Sequence, residues 1–319
     1  MTAVAAPLVA PPLVAMRRIA VAPRGRRFQP GRLLRAPVVA LRGGPEGIAA
    51  AFDWDGEALG ITILGLGALQ TDEVDAALAT ARGMSGVDDD TTPFFEQARE
   101  HPVLGPLAKD ARFDGRLRRT RTVFEAFAEA VIAQLVTSVE AQQATRRLFA
   151  HAGALIPGTD LRAAPTPAAV RDTPAWQMHA MGIGSRRAQT LREGARRGAT
   201  LERIGGDEPE LFMQKLRSMP GVGPWTANRV ARNALAYADA VPVGDLHAPR
   251  IVTAALQGRA AYGPDADEAM LAALEPFRPH RGRVVMLLDY AHFVRDAVPN
   301  LSPRERTRVD AHRRAPWRY

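Results

Sequence analysis

No cysteine occurs in the 319 residues of the chain. Disulfides, thiolate-held iron–sulfur clusters, cysteine-based zinc sites and cysteine nucleophiles are thereby excluded. Aromatic residues are sparse at 6%, and lysine is nearly missing, with Lys109 and Lys215 standing alone among 42 basic residues. Such a preference for arginine, beside abundant alanine, is the mark of a GC-rich genome. It does not account for the excess of bases over acids: the net charge is +8 and the pI about 10.7. That surplus points to an anionic partner, either nucleic acid or a membrane surface. The opening stretch MTAVAAPLVAPPLVAM is broken by Pro7, Pro11 and Pro12, is too short to span a bilayer, and is followed by its positive charges, Arg17 and Arg18. An export signal carries them in front. Residues 1–16 are therefore expected to form a disordered tail of an intracellular, cytoplasmic protein with no membrane partner. The remaining balance, 46% hydrophobic and 24% charged, is that of a globular chain with enough length for two or three domains.

The short β-like runs RRIAVA, APVVALR, IAAAFDW and LGITILGLG, divided by Gly and Pro, read as a small antiparallel sheet. Thr71 before Asp72 and Glu73 starts a helix, and Thr92 before Pro93 another. From there the pattern is almost wholly helical. The expected fold class is α+β, with an α/β domain over 17–115, an all-α region of two lobes and a cleft over 116–297, and a basic tail over 298–319. Within 121–150, the residues Val123, Phe124, Phe127, Val131, Ile132, Leu135 and Val139 fall on one helical stripe, expected to be buried. Further helices are expected at Thr166–Pro167, after the turn MGIGS, over about 208–217, from Trp225 to about Tyr237, and over about 265–275 and 280–297.

Chemistry concentrates in PELFMQKLRSMPGVGPWTANRVARNALAY, two amphipathic helices joined by a turn containing Gly221, Val222 and Gly223. Glycines permit positive φ and let backbone N–H groups at a helix N-terminus approach a phosphate closely, while Val222 points inward as a plug. An ordinary helix corner is the plain alternative. Asp245 in VPVGD follows Trp225 by twenty residues and precedes another helix. Alone it would be a helix cap, but a Gly hairpin, a helix, a return loop and an Asp together hold a carboxylate near a phosphate-binding turn.

PGVGPWTANRV followed by VPVGD resembles the helix-hairpin-helix DNA glycosylase superfamily. AVIAQLVTSVEAQQATRRL, MGIGSRRAQTLREGA and PFRPHRGRVVMLL are similar to its 3-methyladenine DNA glycosylase II branch, so the resemblance spans about residues 90–297 in order. In the sheet-like first part, only position and pattern match that branch's N-terminal domain, a TATA-binding-protein-like half.

The resemblance implies a monomeric, cofactor-free and metal-free enzyme of base excision repair that acts on duplex DNA carrying a damaged base. It flips that base out and hydrolyses its glycosidic bond. Asp245 would stabilise the oxocarbenium-like transition state and orient water. Trp225, Leu246, Arg229 and Phe277 would line the base pocket, Trp225 offering a π face to an electron-poor alkylated base. Leu135 would be the wedge that fills the vacated stack, and Gly221, Val222, Gly223, Arg186, Arg187 and Arg281 would meet DNA. Arg278 and Arg283 pose the same choice between phosphate and a solvated face, and His247 and His280 read as helix-end residues. Trp225 stands where bifunctional relatives keep a lysine, so no Schiff base forms there and no strand cleavage is expected. Where some members of the branch carry tyrosines, this chain has Arg229 and Leu246. The expected substrates are alkylated bases of the 3-methyladenine and 7-methylguanine type. Two other readings compete: a non-catalytic helix-hairpin-helix DNA-binding protein, which has no use for a carboxylate near phosphate, and a sister glycosylase for uracil, hypoxanthine or mismatched bases, which needs specific hydrogen bonding in its pocket.

Overall fold

The structure, a computed structural model, describes residues 13–25, 28–30 and 34–301. Four strands, β1 (Val14–Val21), β2 (Val38–Arg42), β3 (Ile48–Trp54) and β4 (Leu59–Gly65), form an antiparallel sheet in the order β1-β4-β3-β2. Alternation of side chains sends Ile48, Ala50 and Phe52 of β3 to one face, where they meet Val74, Leu78 and Ala81 of α1 (Thr71–Ser85). The opposite face, through Ala40 and Ala49, packs on Ile156 and Ala163 of the helical region. β1 starts at Val14, inside the stretch expected as tail, because its backbone pairs with β4. Residues 1–12 of that expected tail lie outside the described residues.

The helices gather around two cores. The first is built from α4 (Val123–Ile132), α5 (Ser138–Ala152), α6 (Pro167–Asp172), α7 (Ala175–Ala180), α8 (Ser185–Arg196), α9 (Gly198–Ile204), α10 (Pro209–Arg217) and α11 (Pro224–Leu235). Every residue of α4 except Glu129 is buried, so this helix is the axis of the lobe. Its N-terminus is held twice: Thr122 accepts from Glu125 N, and the Glu202 carboxylate of α9 accepts from Val123 N and Phe124 N at 3.0 and 2.9 Å. The stripe expected to continue through Leu135 and Val139 ends with the helix, and these two residues are 89% and 55% exposed.

The second core joins α2 (Thr92–Glu100) and α3 (Leu104–Ala108) to α12 (Ala248–Gln257), α13 (Ala266–Leu274) and α14 (Arg281–Phe293). Phe94, Leu104 and Phe113 are therefore part of the C-terminal lobe's core, and the boundary expected near residue 115 does not separate them from it. Buried Arg283 of α14 clamps this arrangement, donating to both oxygens of Asp89 at 2.8 and 2.5 Å and to the Gly115 carbonyl at 2.5 Å. Val298 and Leu301, expected in a tail, are buried in the same core, while 302–319 lie outside the described residues. No helix among the described residues is long and apolar enough to cross a membrane.

α4 and α8 approach so closely that a Cβ added at Gly194 would lie 2.1 Å from Phe127 Cε1. Gly194→Ala should therefore destabilise the protein by about 1–3 kcal/mol from overpacking, although alanine favours a helix by about 1 kcal/mol. Denaturant unfolding measures it, and an unchanged midpoint would mean that the contact relaxes freely.

Candidate functional site

α10 ends at Arg217 and α11 begins at Pro224, and the chain reverses between them through Met219, Pro220, Gly221, Val222 and Gly223. Gly221 has φ +82°, and a Cβ there would stand 2.2 Å from Thr190 Oγ1 of α8, so both conformation and space demand glycine. Val222 is 6% exposed and packs into the first core as a plug. Gly223 differs from expectation, since its φ of −90° is open to any residue. A Cβ at Gly223 would meet nothing within 4 Å, so neither conformation nor space in the protein itself requires glycine there. No side chain caps α11, whose N-cap is Gly223 and whose first residue is Pro224.

The first turn of α11 carries Trp225, and the next turn carries Arg229 on the same face. The Arg229 guanidinium carbon lies 5.3 Å from the Trp225 ring centroid. Trp225 Nε1 donates to Asp245 Oδ2 at 2.9 Å. The other carboxylate oxygen, Oδ1, accepts from the backbone N–H groups of His247 and Ala248 at 2.7 and 3.0 Å, which caps α12. Asp245 is thus a helix cap and the partner of the indole at once. The loop before it is pinned by Asp267, whose carboxylate accepts from Gly244 N. Leu246 beside it is 61% exposed.

Charges collect around this carboxylate. Burial lowers the pKa of Arg229, against the pull of Glu129 and Asp245. Burial, with Arg229's charge, brings Arg232 down to about 10, while Asp289 and Asp245 oppose that shift. Asp289 of α14 is pushed up to about 7 by burial and then by Asp245, with Arg232 opposing. Arg229 Nε is buried and meets no hydrogen-bond acceptor.

Leu135 occupies the turn between α4 and α5 with φ +54°, and its side chain is 89% exposed. Gln134, which sequence reasoning passed over, braces that turn: its Nε2 donates to the Gly221 carbonyl at 2.9 Å and to Thr226 Oγ1 at 2.8 Å. The only hint was a polar residue interrupting an apolar stripe. Arg187 braces it from the other side, donating to the Ile132 carbonyl at 2.6 Å and to the Gly182 carbonyl at 2.9 Å. Both terminal nitrogens of its guanidinium are thus engaged by the protein's own backbone; Arg186, on the first turn of α8, is exposed.

Two other expected site residues belong to the fold. Phe277 is 7% exposed in the second core with its ring 5.3 Å from that of His101, and is not a pocket wall. Arg281 donates to Asp239 at 3.0, 2.9 and 2.6 Å and to Glu275 at 3.2 Å, with Arg278 on the same two carboxylates, so neither presents a free guanidinium to DNA. Arg283 holds Asp89, as above. His280 lies against Phe94 and His247 against Phe293. Among the described residues no group of three His, Asp or Glu is placed to hold a metal ion.

No family model matches the sequence, and no curated protein matches it. Solved structures match the fold. A 3-methyladenine DNA-glycosylase from Archaeoglobus fulgidus is 21% identical with a TM-score of 0.70, over 88% of this chain and 99% of that one. An 8-oxoguanine glycosylase/lyase from Clostridium acetobutylicum in its apo form is 16% identical with a TM-score of 0.62, over 88% and 98%. A 3-methyladenine DNA glycosylase from Schizosaccharomyces pombe in complex with abasic DNA is 20% identical with a TM-score of 0.51, over 68% and 98%. The chain has the helix-hairpin-helix DNA glycosylase fold that these structures share.

Since Leu135 touches so little of the free protein, Leu135→Ala should change stability by no more than about 0.5 kcal/mol. Gln134→Ala, which removes two hydrogen bonds, should cost roughly 1–2 kcal/mol. Thermal melts of both variants check this, and a loss of about 2–5 kcal/mol for Leu135→Ala would return that residue to the core.

Proposed function

We propose that this chain is a monofunctional DNA glycosylase that releases alkylated bases from duplex DNA. The observation that carries the reading is the Trp225 Nε1–Asp245 Oδ2 hydrogen bond of 2.9 Å, which holds a carboxylate beside the glycine hairpin. A pure DNA binder gains nothing from a carboxylate there, because it repels phosphate.

Each step has a residue suited to it. Backbone amides at the uncapped start of α11 receive a phosphate, favoured by the helix dipole. Exposed Leu135 enters the stack as the damaged nucleotide leaves it. The flipped sugar lies against Asp245, whose negative charge stabilises the cationic sugar as the C1′–N bond breaks, and water adds to C1′. The product is an intact abasic site. Strand cleavage through a Schiff base requires an amine at the position of Trp225, and of the chain's two lysines, Lys215 is paired with Asp207 at 2.8 Å. The fold's likeness to a glycosylase/lyase is compatible with this, since the two reactions share the scaffold and differ in the nucleophile.

Asp245→Asn tests the reading. An asparagine oxygen can keep the α12 cap, but the charge is lost and the amide N–H₂ faces the indole N–H. Release of methylated bases should fall by about 10²-fold or more, while duplex affinity stays equal or rises. Full activity would overturn the mechanism. Borohydride should trap no protein–DNA adduct with the wild type.

A further inference from the structure

We infer that the surface between α5 and α7 binds an unpaired nucleotide of DNA beside the duplex, with Trp176 stacked on its base and Arg147 on its phosphate. The inference rests on reading the edge that carries Leu135 and the glycine hairpin as the face that meets DNA.

Trp176 is 70% exposed, and the helix that carries it is anchored from the other side. Met178 is fully buried in the first core and Met181 nearly so, which turns those two side chains inward and Trp176 outward. Ala180, one turn after Trp176 on the same side of α7, lines a shallow hollow of about 450 Å³ together with Gln177 and Met181. α5 supplies the facing wall with Arg147, Ala150 and His151. An aromatic ring thus stands at the rim of a hollow whose apolar lining is Ala150, Ala180 and Met181.

Charge selects the ligand. Among the described residues no carboxylate lines the hollow, and neither Arg147 nor His151 makes a side-chain hydrogen bond or ion pair with another of them. Arg187, Arg281 and Arg283, by contrast, are all engaged by acceptors of the protein itself. Asp172, the acid nearest Trp176 in sequence, pairs with Arg171 at 3.0 Å. Unengaged cations beside an exposed aromatic ring suit single-stranded nucleic acid, which puts its phosphates on the one and its bases on the other. Position favours DNA already bound to the protein over any other anion. A Cβ at Gly182 would lie 4.0 Å from Arg147 Nη1, and the Gly182 carbonyl accepts from Arg187, which also holds the Leu135 turn through the Ile132 carbonyl. The hollow therefore adjoins the edge that carries Leu135. A paired base has both faces covered by its neighbours in the stack, so Trp176 can take only an unpaired one, as occurs where duplex passes into single strand.

The test measures, by fluorescence anisotropy at one salt concentration, binding to one duplex that is blunt or extended by about ten unpaired thymidines at its 5′ or its 3′ end. With the wild type, an extension of one polarity should tighten binding by roughly 5- to 100-fold over the blunt duplex, the range for a base stacked on an aromatic ring. Trp176→Ala should erase that gain while blunt-duplex affinity, base release from it and melting temperature stay as in the wild type. Trp176→Phe should keep most of the gain, and Arg147→Gln should reduce it and weaken its salt dependence. Quenching of tryptophan fluorescence by the thymidine oligomer alone, present in the wild type and lost in Trp176→Ala, reports the stacking directly. An extension that adds nothing to wild-type affinity, or a gain that survives Trp176→Ala, would overturn the inference and leave the glycosylase reading standing. Self-association of the DNA-free protein that Trp176→Ala abolishes would overturn it in favour of a contact between two copies of the chain. Failure of the wild type to bind any of these DNAs would remove the DNA reading and this one together.

Discussion

One carboxylate with two committed oxygens joins the halves of this molecule. Oδ1 of Asp245 closes the first turn of α12, which belongs to the second core, and Oδ2 takes the indole N–H of Trp225, which stands on α11 of the first. Displacing the group would orphan two backbone amides and an indole together. Burial of unpaired donors is costly enough that this geometry is over-determined. The same bonds that hold the loop before α12 therefore fix the direction of the carboxylate to which the proposed function assigns the chemistry. The glycine hairpin inherits its relation to the carboxylate from the same bond, because Trp225 lies two residues beyond Gly223.

The exposed edge of the first lobe is organised by the same economy. Three turns, those around Leu135, Gly182 and Gly221, would each be soft alone. Gln134 ties the first to the third and Arg187 ties the first to the second, in both cases by donating to main-chain carbonyls. Backbone acceptors do not change rotamer, so the tie fixes the turn itself. The turn that carries the exposed Leu135 side chain is thus ordered in the free protein, so a contact made by that side chain would not have to order the loop backbone first.

Local features of sequence proved readable and long-range ones did not. Gly221, the inward Val222 and the nearness of Asp245 to the start of α11 were visible because spacing along one or two helices decides them, whereas the need for glycine at 223 was read from the sequence and not met by its φ of −90°. Helical periodicity carried the stripe of α4 too far, for it has no means of registering that the chain leaves the helix at Ala133 and enters a left-handed turn at Leu135. Arg187, Arg281 and Phe277 were assigned to DNA or substrate because an arginine or a phenylalanine near a motif looks unattached until its partner is known. The partner of Arg281 is Asp239, 42 residues away, and that of Arg187 is a carbonyl 55 residues away. Arg229 was assigned to the base pocket only through the resemblance, as the residue standing where some members of the branch carry a tyrosine, and its contact with the Trp225 ring and its unpartnered Nε came only from packing. The grouping of Phe94 and Phe113 with the last helices was hidden for the same reason.

That last grouping has a consequence for the order in which the protein is made. The first core is drawn from one unbroken stretch, Val123 to Ala231, whereas the second takes Phe94 to Phe113 from before it and Val241 to Leu301 from after it. On the ribosome the inner lobe has all its parts in hand while the outer lobe is still half absent. The apolar residues of α2 and α3 must then wait, uncovered, for nearly two hundred residues of synthesis before α14 and Arg283 arrive to close over them. A nascent chain stalled before that point would carry a folded hairpin lobe and an open wound beside it, a natural target for chaperones.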